Sequence, residues 1–419
     1  MRTSGGWRGL LQLSDWRTSP CSQRACNPMR CTHEYRTVHS QTYTIWGSAH
    51  SLFTGKVRSY LIKKQLRWVE LNPSDRNFAA RILPVVRHRV IPVLETQDGE
   101  IIQDTADIID FLEARHKDPC LDPTTPVQKA ISALFDAVGS EYLLALAMHY
   151  RWSYREQQES FLTAEFGRAL HAGGSREARR NAVKPAMAYF ASALPNLGVR
   201  AETIAAMEAS YRELIEALDL HFQWHPYLLG GRPCRGDFGM MASLYAHLGR
   251  DPVPRAIMQR HAPNLARWTE RMNLAPIHDG EYPGYADDWA ENDSIPETLE
   301  AVLALVFRDW SPGLVADAAC FNRWADDKPS GALVSLNGER KVHPSIGQVR
   351  YDWNGVEIER ASAPHGLWHF SKVLELVTNM NGVALGRFDA LVQRTGGAQA
   401  MGITLSKRMT RADNALVLE

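Results

Sequence analysis

Two hydroxyl side chains three residues apart, Ser51 and Thr54, are placed to act on a small anion such as a thiolate. Two cations, Lys56 and Arg58, follow them directly. Where a strand turns straight into a helix, the first N–H groups of the helix have no partner inside it, and the helix dipole favours an anion beside them. The sequence therefore predicts a site for a thiolate or another small anion at this turn.

The elements around this turn are a predicted strand and a predicted helix. A short apolar run at 43–46, ending before Gly47, predicts the strand. Apolar residues that recur with helical spacing predict the helix at about 53–65. The patterns downstream predict strands at 67–71, 89–96 and 100–102, then a helix that Asp104 or Thr105 can cap and that ends near residue 114.

Pro92 interrupts the predicted strand at 89–96, where it removes a donor from the ladder of hydrogen bonds. Two arrangements fit it. One is a cis bond between Ile91 and Pro92, which would turn the backbone of Ile91 outward beside the helix N-terminus. The other is an edge strand or a bulge. The pattern alone leaves both open.

The order of these elements resembles the N-terminal thioredoxin-like domain of the glutathione S-transferase superfamily. The resemblance is carried by the S-x-x-T turn, the I-P-V-L strand and the segment D-G-E-I-I-Q-D-T-A-D-I-I-D-F-L. It implies that glutathione is the co-substrate. It also implies that Ser51 is the catalytic hydroxyl, donating a hydrogen bond that stabilises the glutathione thiolate. His50 and Thr54 are the alternative donors.

The resemblance further implies a set of residues that bind glutathione. The backbone of Ile91 would pair with the cysteinyl part, and Asp104 and Thr105 would hold the γ-glutamyl amine and carboxylate at a helix N-terminus. The full implied binding set is Phe53, Ile91, Pro92, Asp104 and Thr105.

The rest of the chain is predicted to be mostly helical. The predicted fold is an α/β thioredoxin-like domain at 42–116, an all-α domain at 124–273 that matches the C-terminal domain of the same superfamily, and an α+β extension at 274–419 of unknown role. In the extension, two helices are predicted at about 296–307 and 314–326, and Asn354-Gly355 between alternating residues predicts a hairpin. The first long helix of the all-α domain supplies three candidate residues for the acceptor substrate, Tyr142, His149 and Arg151.

Composition excludes several classes of function. Of 419 residues, 45% are apolar, and the 47 basic side chains equal the 47 acidic ones, so no nucleic-acid partner is expected. No uninterrupted apolar run approaches the roughly 18 residues of a membrane span, so none is expected. The six cysteines contain no C-x-x-C pair, which favours free thiols in a reducing compartment and no metal site, although Cys21, Cys26 and Cys31 with His33 or His39 are a minor alternative.

Residues 1–41 are rich in Arg, Ser and Thr, and contain Asp15 and Glu34 as their only acids. We interpret them as a disordered tail, with an organelle leader as the alternative, and expect a cytoplasmic protein.

Two functions fit these observations. The first is a glutathione transferase that joins glutathione to a small electrophile or removes it, with the homodimer that the family implies. The second is a non-catalytic transferase-fold protein that binds partners, as metaxin-like relatives are thought to do.

Overall fold

The structure, a computed structural model, describes residues 41–341 and 343–419. The predictions for Cys21, Cys26, Cys31, His33, His39 and the N-terminal tail or leader lie outside the described residues. The fold class is confirmed: a small mixed sheet with a thioredoxin-like order of elements, followed by a mostly helical remainder.

The N-terminal sheet has the strand order β2-β1-β3-β4. β1 pairs in parallel with β2, while β3 is antiparallel to both β1 and β4. The inner strand β1 buries its three apolar residues, Tyr43, Ile45 and Trp46. The strands are β1 Thr42–Trp46, β2 Arg67–Leu71, β3 Val93–Glu95 and β4 Ile101–Gln103.

Three helices complete this part of the fold: α1 Leu52–Lys63, the short α2 Leu83–Val86 and α3 Thr105–Arg115. Ser51 caps α1, and Asp104 caps α3. The sequence predicted strand 89–96, but only Val93–Glu95 pair in the sheet, because the chain enters the strand after Pro92, whose ring nitrogen has no hydrogen to donate.

The helical block consists of α4 to α11, and a buried close approach holds its centre together. A Cβ on Gly139 would lie 2.2 Å from the backbone of Gly239, so only glycine fits where these two segments touch. The sequence did not predict α6. The helices are α4 Pro126–Ala137, α5 Leu143–Trp152, α6 Arg155–Leu170, α7 Arg176–Ala191, α8 Ala201–Trp224, α9 Arg235–Ala246, α10 Pro252–His261 and α11 Pro263–Arg271.

The continuous helical segment Pro126–Trp152 joins α4 to α5 through a π-helical turn at Val138–Tyr142. Among the described residues it is the one segment whose length and composition would allow it to cross a membrane. Of its most apolar 18-residue window, 78% is buried inside the protein. A core helix has these same properties.

The extension adds four helices and two hairpins. The predicted Asn354-Gly355 turn is confirmed, with both residues at positive φ between β5 and β6. Two predicted helices are one, because α12 continues through Pro312. The elements are α12 Glu297–Ala325, β5 Gln348–Trp353, β6 Val356–Ala361, α13 Pro364–Thr378, α14 Gly382–Thr395, α15 Ala398–Met401, β7 Met409–Ala412 and β8 Ala415–Leu418.

One hydrophobic core joins the three parts of the chain. It contains Tyr60 of α1, Phe238 of α9 and Phe370 of α13. A buried ion pair between Lys56 and Asp136 links α1 to α4 as well. The extension is therefore packed on the helical block and on the thioredoxin-like sheet.

Candidate functional site

A cavity of about 100 Å³ lies between the thioredoxin-like domain and the extension. Both parts of the chain supply its walls. From the thioredoxin-like domain come Phe53, Ile91, Pro92, Gln103, Asp104 and Thr105, and from the extension come His343, His365, His369, Arg411, Asn414 and Leu416. The five residues for which the sequence predicted glutathione binding thus line one cavity.

Asp104 is the central charge of this cavity. Its Oδ1 accepts a hydrogen bond of 2.9 Å from the N–H of Ala106 and so caps α3. Its Oδ2 lies 3.3 Å from His365 Nε2 and 3.5 Å from Arg411 Nη1. Burial would raise the pKa of Asp104, but the hydrogen bond to His365 and the charges of His365 and Arg411 hold that pKa well below its ordinary value. Asp104 is therefore a carboxylate with two partners from the extension.

The backbone of Asp104 has a φ of 85°, a region that side-chain-bearing residues rarely occupy. Such strained residues cluster at functional sites. Beside Asp104, Thr105 begins α3 with its side chain buried. The bond between Ile91 and Pro92 is cis, which was one of the two arrangements predicted from the sequence.

Ser51 caps α1 at its start and is not one of the residues that line the cavity. Its Oγ accepts a hydrogen bond of 3.3 Å from the N–H of Thr54, so it acts as the helix cap. The side chain is half-buried, and the cavity lining begins two residues later at Phe53. The hydroxyl hydrogen of Ser51 is not used by the capping bond, so Ser51 can still donate to an anion.

The two alternative donors, Thr54 and His50, are held in other contacts. Thr54 is fully buried, and its Oγ1 accepts from the N–H of Ser48 at 3.5 Å. The ring of His50 packs on Phe166 with 4.1 Å between ring centroids. Burial, with the charges of Arg151 and Arg250, lowers the pKa of His50 to about 3, so this imidazole is neutral.

The two cations that follow the turn do not face it, contrary to the prediction of an anion site that includes them. Lys56 is buried in its pair with Asp136, and Ser140 accepts a further hydrogen bond of 3.2 Å from it. Arg58 binds Glu70 with two hydrogen bonds of 2.8 and 2.9 Å. The reason is helical geometry, which places these residues on sides of α1 that face other elements.

The three candidate acceptor-site residues lie inside the helical block, and none of them lines the cavity. Tyr142 donates a hydrogen bond of 3.1 Å to Asp309. His149 is bonded to Ser153 at 2.8 Å and Glu208 at 2.9 Å. Arg151 is almost fully buried, and two hydrogen bonds of 2.6 and 2.7 Å bind it to Asp251, while others reach the carbonyls of His50 and Ala246. In this structure these side chains hold helices together.

The residues of the extension that close the cavity were not predicted from the sequence. Arg411, Asn414 and Leu416 belong to the hairpin β7–β8, whose turn residues Asp413 and Asn414 both have positive φ. An Asp-Asn turn between alternating residues is a hairpin signal that could have revealed it. The two histidines, His365 and His369, form an H-x-x-x-H spacing that was available as well.

The comparisons with known proteins agree with this geometry. Residues 46–120 match the family model described as "Glutathione S-transferase, N-terminal domain". No curated protein sequence matches the chain significantly.

Several solved structures resemble the fold over part of the chain. A glutathione S-transferase from Rhodospirillum rubrum is 17% identical, with a TM-score of 0.36, and the match covers 61% of this chain and 96% of that one. A glutathione S-transferase from Methylobacterium radiotolerans, in complex with glutathione sulfonate, is 21% identical, with a TM-score of 0.33 and coverage of 61% and 98%. The protein FzlA from C. crescentus is 16% identical, with a TM-score of 0.36 and coverage of 61% and 96%.

Because these TM-scores are low, the assignment rests on the family model and on the order of elements that it matches. The match begins at the last residue of β1 and extends past the end of α3. It therefore includes the turn at Ser51, the cis bond before Pro92 and the cap at Asp104. Residues 46–120 thus match a glutathione S-transferase N-terminal domain, and their structure has the thioredoxin-like order of elements.

Proposed function

We propose that this protein is a glutathione transferase that binds glutathione in the cavity and transfers it to, or removes it from, a small electrophile. The observation that carries the proposal is the convergence of Phe53, Ile91, Pro92, Asp104 and Thr105 on one cavity. These residues come from three separate segments of the sequence, and their meeting in one place supports a common ligand.

In this proposal each group has one task. Asp104 binds the γ-glutamyl ammonium, and Thr105 with the N-terminus of α3 binds its carboxylate. The backbone of Ile91 pairs with the cysteinyl part. Ser51 donates a hydrogen bond to the sulfur. A thiol of pKa near 8.5 becomes mostly thiolate at neutral pH when its pKa falls by about two units, which corresponds to about 2.7 kcal/mol. One hydroxyl and the free N–H groups of a helix N-terminus can supply a stabilisation of that size.

The extension limits the size of the ligand that can enter the cavity. Small-molecule sites usually enclose roughly 300–1,000 Å³, whereas this cavity encloses about 100 Å³. Arg411 also already pairs with Asp104 at 3.5 Å. Binding of the whole tripeptide therefore requires the β7–β8 hairpin to move aside and its arginine to release Asp104.

The same two facts favour a second candidate function. If the β7–β8 hairpin never leaves the cavity, glutathione cannot bind there, and the protein is a non-catalytic binding protein. In that case the contacts of Arg411 with Asp104, Asp107 and Gln103 are permanent parts of the fold.

Glutathione binding by the full chain separates these functions. We expect retention on immobilised glutathione and a rise in Tm with millimolar glutathione. Asp104→Asn should abolish both effects while keeping the cap of α3, because Asn caps helices as well as Asp. The matched control is Asp110→Asn on the same helix, an exposed residue paired with Arg235 at 2.5 Å. No retention and no rise in Tm for the unmodified protein would rule out the transferase.

A further inference from the structure

Three side chains at the cavity form a cluster with the composition of a metal site. His365 and His369 lie one turn apart on α13, so their rings share a face of the helix. Glu141 comes from the π-helical turn at Val138–Tyr142. One ligand atom from each of the three residues lies within 4.8 Å of the other two. Across residues 41–341 and 343–419, this is the one group of three or more His, Cys, Asp or Glu side chains that meets this condition.

The distances within the cluster are close to those of a ligated ion. Glu141 Oε1 lies 3.0 Å from His365 Nδ1 and 3.9 Å from His369 Nε2. Nitrogen and oxygen ligands at 2.0–2.2 Å from a tetrahedral Zn²⁺ are separated by roughly 3.3 Å. The two distances from Glu141 are close to this value, and the ligand atoms of the two histidines, which lie within 4.8 Å of each other, would approach to bring all three atoms around one ion.

A second partner fixes the ring of His365 in the orientation that a metal ligand needs. Its Nδ1 faces Glu141, while its Nε2 lies 3.3 Å from Asp104 Oδ2. Metal-ligating histidines almost always donate the other ring N–H to a carboxylate or carbonyl oxygen. Asp104 is itself held by its bond to the N–H of Ala106 and by Arg411. The cluster therefore has an orienting outer layer as well as ligands.

The packing around Glu141 is suited to this arrangement. Gly366 follows His365, and a Cβ at that position would lie 3.4 Å from both Cβ and Oε2 of Glu141. A methyl group at this position would make ordinary van der Waals contact with Glu141, so α13 and Glu141 pack closely here. On the other side the cluster is open, because both histidines line the cavity. A ligand set of three protein groups with one open position is typical of catalytic zinc sites.

We propose that Glu141, His365 and His369 bind a divalent transition-metal ion, with Zn²⁺ the favoured ion. Two imidazoles and one carboxylate form one of the ligand sets that zinc enzymes use. Through His365 the ion would be linked to Asp104, the residue to which we assign the γ-glutamyl group. The site goes beyond the proposed transferase chemistry, in which Ser51 alone acts on the sulfur, and it departs from the sequence-based expectation that no metal binds.

Metal binding to the full chain tests this proposal without glutathione. After treatment with a chelator and dialysis, we expect the protein to take up about one Zn²⁺ per chain, measured by titration calorimetry and elemental analysis. Glu141→Gln and His369→Asn should each weaken this binding by at least about 10- to 100-fold, the loss that even an outer-layer partner causes. The control His278→Asn changes an exposed histidine that lies 3.4 Å from Asp287 on the surface, and it should bind as tightly as the unmodified protein.

Co²⁺ gives a readout that does not depend on whether a variant folds. The unmodified protein with Co²⁺ should show the visible absorption of a four- or five-coordinate nitrogen and oxygen site, without the thiolate charge-transfer band that cysteine ligands produce. A thiolate band, or equal Zn²⁺ affinity in folded His369→Asn, would assign the metal to other residues and overturn the proposal. Absence of Zn²⁺ binding to the unmodified protein would overturn it as well, and a proton on His365 would then join Glu141 to Asp104.

Discussion

Arg411 Nη1 lies 3.5 Å from Asp104 Oδ2, which joins the last hairpin of the chain to the N-terminus of α3. Arg411 also donates hydrogen bonds to Asp107 at 3.0 Å and to Gln103 at 2.5 Å. In the proposed complex the γ-glutamyl ammonium would occupy the position of this guanidinium. Under the proposed function, the protein carries a side chain of its own that would compete with glutathione for the same carboxylate.

Removal of this competitor should strengthen glutathione binding. In Arg411→Ala, Asp104 loses a cation and the hairpin loses its attachment to α3, so we expect roughly tenfold tighter binding, about 1.4 kcal/mol, by titration calorimetry. The matched control is Arg408→Ala, an exposed arginine just before β7 that pairs with Glu375 at 2.7 Å. Unchanged or weaker affinity in Arg411→Ala would show that Arg411 does not compete for the site.

Ser51 caps α1 in the structure and donates to the sulfur in the proposal, and one substitution separates these two roles. Ser51→Asp retains a strong N-cap for α1, because a carboxylate accepts from the N–H of Thr54, but it has no hydrogen to donate to a thiolate. We expect unchanged thermal stability and a loss of conjugation turnover that exceeds about 10-fold. Ser51→Ala should lose turnover and, in addition, about 0.5–2 kcal/mol of the free energy of unfolding. Full turnover in Ser51→Asp would transfer the role to another donor.

The buried pair of Lys56 with Asp136 should dominate the stability of the contact between α1 and α4. Both side chains are almost completely buried. Lys56→Met leaves a buried carboxylate with Ser140 close to the vacated position, and such losses cost about 3–5 kcal/mol. Urea unfolding measures this cost. The double variant Lys56→Met/Asp136→Leu removes both charges and should recover much of the stability. If it were as unstable as the single variant, packing and not charge would explain the loss.

How much could be predicted from the sequence depended on how local each signal was. Three local features were predicted, because each depends on fewer than ten neighbouring residues. They are the turn at Ser51, the cap at Asp104 and the hairpin at Asn354-Gly355. Pro312 favours a break, so the sequence predicted two helices where the structure has the single helix α12. The packing of α12 against β5 accompanies its continuation through Pro312.

The closed side of the cavity was not predicted, because it depends on contacts between distant parts of the chain. Arg411 meets Asp107 across 304 positions, and His365 meets Glu141 across 224. Neither the spacing of apolar residues nor a helix-capping residue predicts a contact between residues so far apart in the sequence. The same limit applied to Tyr142, His149 and Arg151, since a polar residue on an apolar helix has the same pattern whether it lines a cleft or holds helices together.

Acid should destabilise the protein through buried neutral histidines, of which His221 is the clearest case. Burial, with the neighbouring His225, lowers the pKa of His221 from 6.5 to about 3. Above pH 6.5 the imidazole of His221 is neutral in both the folded and the unfolded state. Below that pH the unfolded state takes up a proton that the folded state refuses until about pH 3, so the free energy of unfolding falls across this window.

The share of His221 in this fall can be isolated by substitution. The ring is bonded to Thr298 at 2.8 Å and to the carbonyl of Tyr227 at 3.3 Å. His221→Gln removes the titrating group, and urea unfolding between pH 7 and pH 4 should show a shallower decline than in the unmodified protein, with a difference on the order of a few kcal/mol at the acid end. Identical slopes for both proteins would show that His221 takes up its proton without cost.

The most direct test of glutathione binding is a crystal structure of the full chain soaked with glutathione. We expect the γ-glutamyl group between Asp104 and Thr105, the cysteinyl backbone beside Ile91, the sulfur facing Ser51, and Arg411 displaced from Asp104. An intact pair of Arg411 and Asp104 with no glutathione in the cavity, in crystals soaked at millimolar concentration, would contradict the proposed function.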